Sequence, residues 1–251
     1  MEPLSKARIK IIQSLQHKKF RLKYDKFIVE GLKITRELLS GHPELVEGVY
    51  VSNPDYQAIL AESIDPELLC QITPQQMHQV SQMSTPPGVL AICRLPGESP
   101  LPAEINGLRI FYLDAIRDPG NLGTILRIAD WFGLDFVMMS PDCVDVYNHK
   151  VLQSSMGSAL RVKSCTLDVV GLMAKGGGKI YACDADGKDI FKIEAPRDGI
   201  IVLGNESLGV SGEISHQVKD VFAIPGYFSL GAESLNVASA AAVVAAWWRK
   251  A

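Results

Sequence analysis

Three stretches in the second half of the chain concentrate residues able to do chemistry. The first is Asp118-Pro119-Gly120-Asn121-Leu122-Gly123-Thr124-Ile125-Leu126-Arg127-Ile128-Ala129. Pro119-Gly120 turns the chain and a helix opens near Asn121. Leu122, Ile125, Leu126 and Ala129 form its buried stripe, and Arg127 sits off that stripe. Glycines at a helix N-terminus allow close approach to the backbone, and the free N–H groups there suit an anion. The same residues also describe an ordinary strand–turn–helix junction with a surface arginine. The second stretch is Ile201-Val202-Leu203-Gly204-Asn205-Glu206-Ser207-Leu208-Gly209, a buried strand ending in a turn that carries an acid. Ligands of open α/β sheets bind at such strand ends, so Glu206 reads either as a functional carboxylate or as a cap for the next segment. The third is Ile224-Pro225-Gly226 through Ser234-Leu235-Asn236-Val237-Ala238. A strand ends at Ile224, a glycine-bearing loop follows, and Ser234 is the expected N-cap of the last helix. Asn236 in that first turn reads equally as a local structural residue.

The common nucleotide and hydrolase fingerprints are absent. No GxGxxG follows a strand, Gly187-Lys188 continues with Asp189 rather than Ser or Thr, and neither HExxH nor GxSxG occurs. The five cysteines (Cys70, Cys93, Cys143, Cys165, Cys183) are scattered and lack zinc spacing, so they read as reduced thiols, the metal expectation is none, and the expected compartment is cytoplasmic. No apolar run is long enough for a membrane helix, and no secretory signal is expected at the N-terminus. The 251 residues are 47% apolar and 21% charged, which allows a sizeable core. Their net charge of −3 hides an asymmetry. Residues 1–37 hold ten Lys or Arg against four acids, a local +6. Such density is either an electrostatic footprint for a polyanion or a solvated helix face.

Two α/β patterns must position these residues. Leu4, Ile9, Ile12 and Leu15 recur at helical spacing, Phe27–Val29 and Val46–Val51 read as strands, and a helix passes through Leu32, Leu38 and Leu39 between them. Thr73-Pro74 is a cap followed by proline at the first helical position, and Val89–Cys93 is a strand. Leu95 to Pro102 is rich in Pro, Gly and Ser and reads as a linker. Beyond it, Arg109–Leu113, Phe136–Met139, Lys179–Ala182, Ile200–Leu203 and Val221–Ile224 are strand-like runs, several of them separated by helical stretches. That alternation predicts a largely parallel sheet covered on both faces. Ser239–Trp248 is apolar nearly all round and is expected to be buried, in the core or at a subunit contact.

The ordered trio NxGxxxR, GxExxG and SLNV resembles the three motifs of the SpoU/TrmH family of RNA ribose methyltransferases. The stretch from Ser14-Leu15 through Lys18-Lys19-Phe20-Arg21 to Phe27-Ile28-Val29-Glu30-Gly31 resembles the N-terminal RNA-substrate domain of many members. The resemblance implies an α/β fold with a C-terminal SPOUT domain, its deep trefoil knot and a largely parallel sheet. Ahead of it would lie a smaller α/β RNA-binding domain similar to a large-subunit ribosomal protein. The expected boundaries are 1–95 for the RNA domain, 96–107 for a linker and 108–251 for the methyltransferase domain. S-adenosylmethionine is the implied cofactor, held by Leu203, Gly204, Glu206, Ile224, Pro225, Ser234, Leu235 and Asn236. Gly204 would let the cofactor lie against the backbone, and Ile224 and Leu235 would wall the adenine.

By the same resemblance the reaction is methyl transfer to a ribose 2′-hydroxyl of structured RNA, with ribosomal RNA the first reading and transfer RNA the second. The implied catalytic residues are Arg127, Asn121, Glu206 and Asn236. A guanidinium is a poor base, so Arg127 would clamp a phosphate and ease loss of the hydroxyl proton. Lys18, Lys19, Arg21 and Lys23 would neutralise RNA phosphates. Family members are homodimers in which the first motif of one subunit meets the pocket of the other. Two departures stand out: Ile224-Pro225 is followed by Gly226 and a longer loop, and Gln153 stands where an arginine is common, with Arg161 as a candidate replacement. The alternative reading is a non-catalytic RNA-binding ribosome-assembly factor that kept the fold. A nucleotide-cofactor oxidoreductase is disfavoured by the missing GxGxxG.

Overall fold

The computed structural model describes residues 4–176, 179–205, 207–226 and 234–250. The first run of elements is α1 (Lys6–Ser14), α2 (Lys18–Tyr24), β1 (Lys26–Glu30), α3 (Leu32–Gly41), β2 (Val46–Val51), α4 (Pro54–Ala61), β3 (Leu69–Gln71), α5 (Pro74–Val80) and β4 (Val89–Arg94). The second is β5 (Arg109–Leu113), α6 (Pro119–Phe132), β6 (Phe136–Met139), α7 (His149–Ser154), β7 (Ser164–Thr166), α8 (Val169–Gly176), β8 (Ile180–Asp189), β9 (Gly199–Leu203), α9 (Gly212–Ser215), β10 (Asp220–Ala223) and α10 (Val237–Trp248). They form two compact units, one of residues 1–97 with 145–157 and one of 98–144 with 158–251.

The first unit is built on a mixed sheet of order β1-β4-β2-β3. β4 runs antiparallel to both neighbours, with Phe27 opposite Cys93 and Tyr50 opposite Leu90, while β2 and β3 are parallel. Ile12 and Leu15 of the first helical stretch close over Ile28, Tyr50, Leu90 and Ile92, joined by Met77 and Val80 of α5. The cap expected at Thr73 is present as a reciprocal box. Its hydroxyl accepts from the Gln76 N–H at 3.2 Å, and the Gln76 side chain accepts from the Thr73 N–H at 2.9 Å. α7 and its flanks also belong to this unit: Tyr147 packs on Phe27 with ring centres 4.9 Å apart.

The second unit carries a six-stranded sheet of order β10-β8-β9-β5-β6-β7, parallel throughout. Its central strands β5, β6 and β9 read as near-continuous apolar runs because both faces are covered. From β5 the chain first builds outward through β6 and β7, then returns to the other side of β5 with β9. The order therefore reverses between β5 and β9, where open α/β sheets leave a crevice for ligands. The short strands β3 and β7 were missed in the sequence, since three residues carry no readable period. α10 belongs to the core of its own unit. Trp248 is fully buried, stacks on Phe111 with centroids 6.1 Å apart and donates its indole N–H to the Pro196 carbonyl at 2.7 Å, and Trp247 meets Phe222 edge-on. These tryptophans are monomer core, so of the two readings offered for this helix the subunit contact is not theirs.

Candidate active site

The site grows from the pairing of β5 with β9. Leu113 lies opposite Leu203, and the Asp114 N–H donates to the Leu203 carbonyl at 2.9 Å, so the loops after both strands leave side by side. Asn205, which the sequence reading passed over, organises the second loop. Its side-chain oxygen accepts from the N–H groups of Ser207 and Leu208, and its backbone exchanges two 2.9 Å bonds with Gly209. Its amide nitrogen donates to the Ala115 carbonyl at 2.9 Å in the loop after β5. Asn in a Gly-flanked turn was the available signal, because its amide can imitate backbone.

Gly204 is also where, among the described glycines, the chain approaches itself most closely. A Cβ there would lie 2.2 Å from the Gly209 carbonyl carbon, so its bareness admits the chain's own returning loop.

Ala115 adopts a left-handed backbone (φ 54°), costly for a residue with a Cβ. It is held there by Ser140, whose hydroxyl accepts the Ala115 N–H at 2.8 Å, and by Asn205. Next to it, the Cys143 thiol accepts from the Ile116 N–H at 3.3 Å and donates to the Leu113 carbonyl at 3.2 Å. Burial raises the Cys143 thiol above its ordinary value, outweighing the hydrogen bonds that favour a thiolate. The loop geometry is thus fixed by three strand ends before any ligand arrives.

α6 starts at Pro119, with the Asp118 carboxylate accepting the Asn121 N–H at 2.8 Å. α10 starts at Val237, and its cap is Asn236 rather than Ser234: the Asn236 carbonyl oxygen accepts from Ala238 and Ser239, while Ser234 is exposed. The other end of the Asn236 amide donates to Asn121 at 2.9 Å, joining the first motif to the third. Along the two helices runs an open groove of about 630 Å³, lined by Asn121, Thr124, Arg127, Trp131, Asn236 and Ser239 among others. Arg127 is exposed within it.

Leu203 is buried at the end of β9, Ile224 is half-buried, and Pro225 and Leu235 are exposed beyond β10. None of these four lines the groove. Leu208 and Leu235 are 78% and 51% exposed, bare apolar surface on the second and third motifs, and the Ser211 hydroxyl is buried without a partner. An adenine face and a ligand hydroxyl or carboxylate would satisfy these groups, so the residues present fit an adenosyl cofactor. Glu206 and residues 227–233 lie outside the described residues.

In the first unit Lys18, Lys19 and Lys23 are exposed on α2. Arg21 is not among them. It is 3% exposed, donates from Nε and Nη2 to the Asp145 carboxylate, and gives Nη1 to the carbonyls of Leu15 and Gln16 at 2.8 and 2.9 Å. The phosphate contact expected of Arg21 is therefore corrected: helix periodicity turns this position inward, where its fork is spent on internal acceptors. Arg161 is likewise engaged, by Asp130.

The protein is thus of the open parallel α/β class, with loops at its strand-order reversal and, along α6 and α10, a groove holding an arginine and two linked asparagines. The comparisons with known proteins make this specific. Residues 109–246 match the SpoU rRNA methylase family, and residues 6–91 match the MRM3-like substrate binding domain. The chain belongs to the SpoU rRNA methylase family. It is 28% identical to the 23S rRNA (guanosine(2553)-2′-O)-methyltransferase RlmP of Bacillus subtilis, over 97% of this chain and 96% of that one. The solved structure of a putative RNA methyltransferase of the TrmH family from Porphyromonas gingivalis superposes with a TM-score of 0.85 and 32% identity, covering 99% of both chains. The fold is shared with the SpoU methyltransferase AviRb from Streptomyces viridochromogenes, solved in complex with AdoMet (TM-score 0.84, 22% identity, 98% of each chain).

Proposed function

We propose that this protein transfers the methyl group of S-adenosylmethionine to a ribose 2′-hydroxyl of ribosomal RNA. The observation that carries the reading is the meeting of Asn121, Arg127 and Asn236 in one groove. Two separate family motifs supply them, in a chain related over nearly its whole length to a 23S rRNA 2′-O-methyltransferase.

When bound, the cofactor supplies a methyl group already activated by its sulfonium, so the protein's task is to place the hydroxyl in line and manage its proton. Leu203, Gly204, Ile224, Pro225, Ser234 and Leu235 are the residues proposed to hold it, with Glu206 steadying the loop. Arg127 grips the phosphate beside the target ribose through its fork of donors, and its fixed charge stabilises negative charge building on the oxygen. Asn121 and Asn236 orient that end of the groove through their mutual hydrogen bond. The deep trefoil knot expected of this fold belongs to the same reading. So do the division into an RNA domain (1–95), linker (96–107) and methyltransferase domain (108–251), and a cytoplasmic site of action.

The protein is further proposed to act as a homodimer in which the groove of one copy meets the cofactor loops of the other. Trp131 supports this: it is 84% exposed on the groove wall, and an indole left in water forgoes most of its burial energy until a partner covers it.

Arg127→Ala is expected to abolish transfer of radiolabelled methyl to ribosomal RNA while cofactor affinity, read by calorimetry, stays close to wild type. Full activity in that variant would overturn the assignment.

A further inference from the structure

We infer that Arg161 is a positioning residue whose task is to occupy Asp130 and so keep Arg127 available to RNA. The inference rests on the catalytic reading of Arg127. On α6, Arg127 and Asp130 stand three residues apart, a spacing that makes their side chains neighbours and opposite charges partners. A carboxylate lying across the Arg127 fork would fill the donors that a phosphate needs and cancel the charge that the reaction uses.

The structure shows that carboxylate committed elsewhere. One oxygen of Asp130 accepts from Arg161 Nε at 3.0 Å, from Arg161 Nη2 at 2.6 Å and from the Ser158 hydroxyl at 2.7 Å. Arg161 Nη2 also reaches the Ser158 hydroxyl at 3.1 Å, closing a three-membered cluster. Ser158 is 2% exposed and opens a short 3-10 turn through Leu160, so the backbone fixes where both partners sit. Burial pushes the Asp130 carboxyl up, but the hydrogen bonds from Arg161 and Ser158 outweigh it and hold the group below its usual range. Arg127, one turn away, takes part in no ion pair among the described residues. Two arginines and one aspartate thus share this end of α6, and the arginine that does no chemistry takes the aspartate.

The test compares full-length wild type, R161A, R161K, D130N, R161A/D130N and R127A. The substrate is ribosomal RNA purified from cells lacking this protein, and the methyl donor is tritiated S-adenosylmethionine. With Arg161 gone, Asp130 turns to Arg127, so kcat is expected to fall about fivefold in R161A with KM for RNA little changed, the scale of a partly exposed ion pair. R161K and D130N keep near-wild-type kcat, and the double variant R161A/D130N recovers it, because the competing charge has been removed. A structural ion pair would also be relieved by the second substitution, so melting temperatures are read beside the kinetics: a kcat that falls in R161A by more than its melt explains, and recovers in R161A/D130N, marks the competition for Arg127, whereas kcat and melt moving together in every variant would overturn it. Loss in R161A that D130N fails to rescue, undiminished activity in R161A, or a defect confined to KM with a shallower salt dependence (the mark of a direct RNA contact) would each overturn the inference. Activity in R127A would instead overturn the reading beneath it.

Discussion

Asn205 and Gly204 do the least visible work in the site and the most local. Gly204→Ala puts a methyl 2.2 Å from the Gly209 backbone, an overlap no rotamer can relieve. The loop must open, at a cost of about 1–3 kcal/mol. Titration calorimetry with S-adenosylmethionine is expected to show at least tenfold weaker binding, and wild-type affinity would refute the tight-loop account. The motif glycine was legible in the sequence, but the close approach of Gly209 was not: the neighbour that needs the space is five residues on, and contact across a loop leaves no periodic trace. Arg21 illustrates the same limit from the other side. A lysine-rich run made it look like its neighbours, yet one position in a short helix faces inward, and its acceptor Asp145 lies 124 residues away.

Helices and strands were far more legible, since each rests on nearest-neighbour chemistry. The strands Val46–Val51, Arg109–Leu113 and Phe136–Met139 end where the apolar runs end, and Thr73-Pro74-Gln75-Gln76 caps its helix as its residue types require. What escaped was the membership of α7. The segment 145–157 that carries it falls inside the methyltransferase family match, but that segment packs with the first unit, through Tyr147 on Phe27 and Asp145 on Arg21 just ahead of the helix. Arg21→Ala would strip a 3%-exposed cation from a carboxylate that is 18% exposed and from two backbone carbonyls. Breaking such a pair from one side costs about 3 kcal/mol. A clear fall in melting temperature is expected, and an unchanged melt would mean that Arg21 contributes nothing to the stability of its unit. Asn236→Ala should be gentler on stability, about 1 kcal/mol for a lost cap. It also removes the donor to Asn121, so methyl transfer is expected to fall more than the melting temperature suggests.

Across the whole chain, charge is distributed by task. The chain is acidic overall at −3, yet Lys18, Lys19 and Lys23 sit exposed together on α2, within a terminal segment of local charge +6. An acidic protein that must hold a polyanion confines its attraction to one surface, which orients the RNA as well as binding it. Phosphate contacts release counterions, so the logarithm of RNA affinity falls linearly with the logarithm of salt, and the slope counts contacts. Replacing all three lysines by alanine is expected to weaken binding to ribosomal RNA and to flatten that slope by about 2 to 3, near one per phosphate lost. Filter binding between low and moderate salt reads both quantities. Arg21→Ala provides the internal contrast, because a guanidinium turned onto Asp145 neutralises no phosphate and should leave the slope where it was, whatever it does to the melt. If the triple variant kept the wild-type slope, α2 would be a solvated helix face and the RNA would have to be held elsewhere.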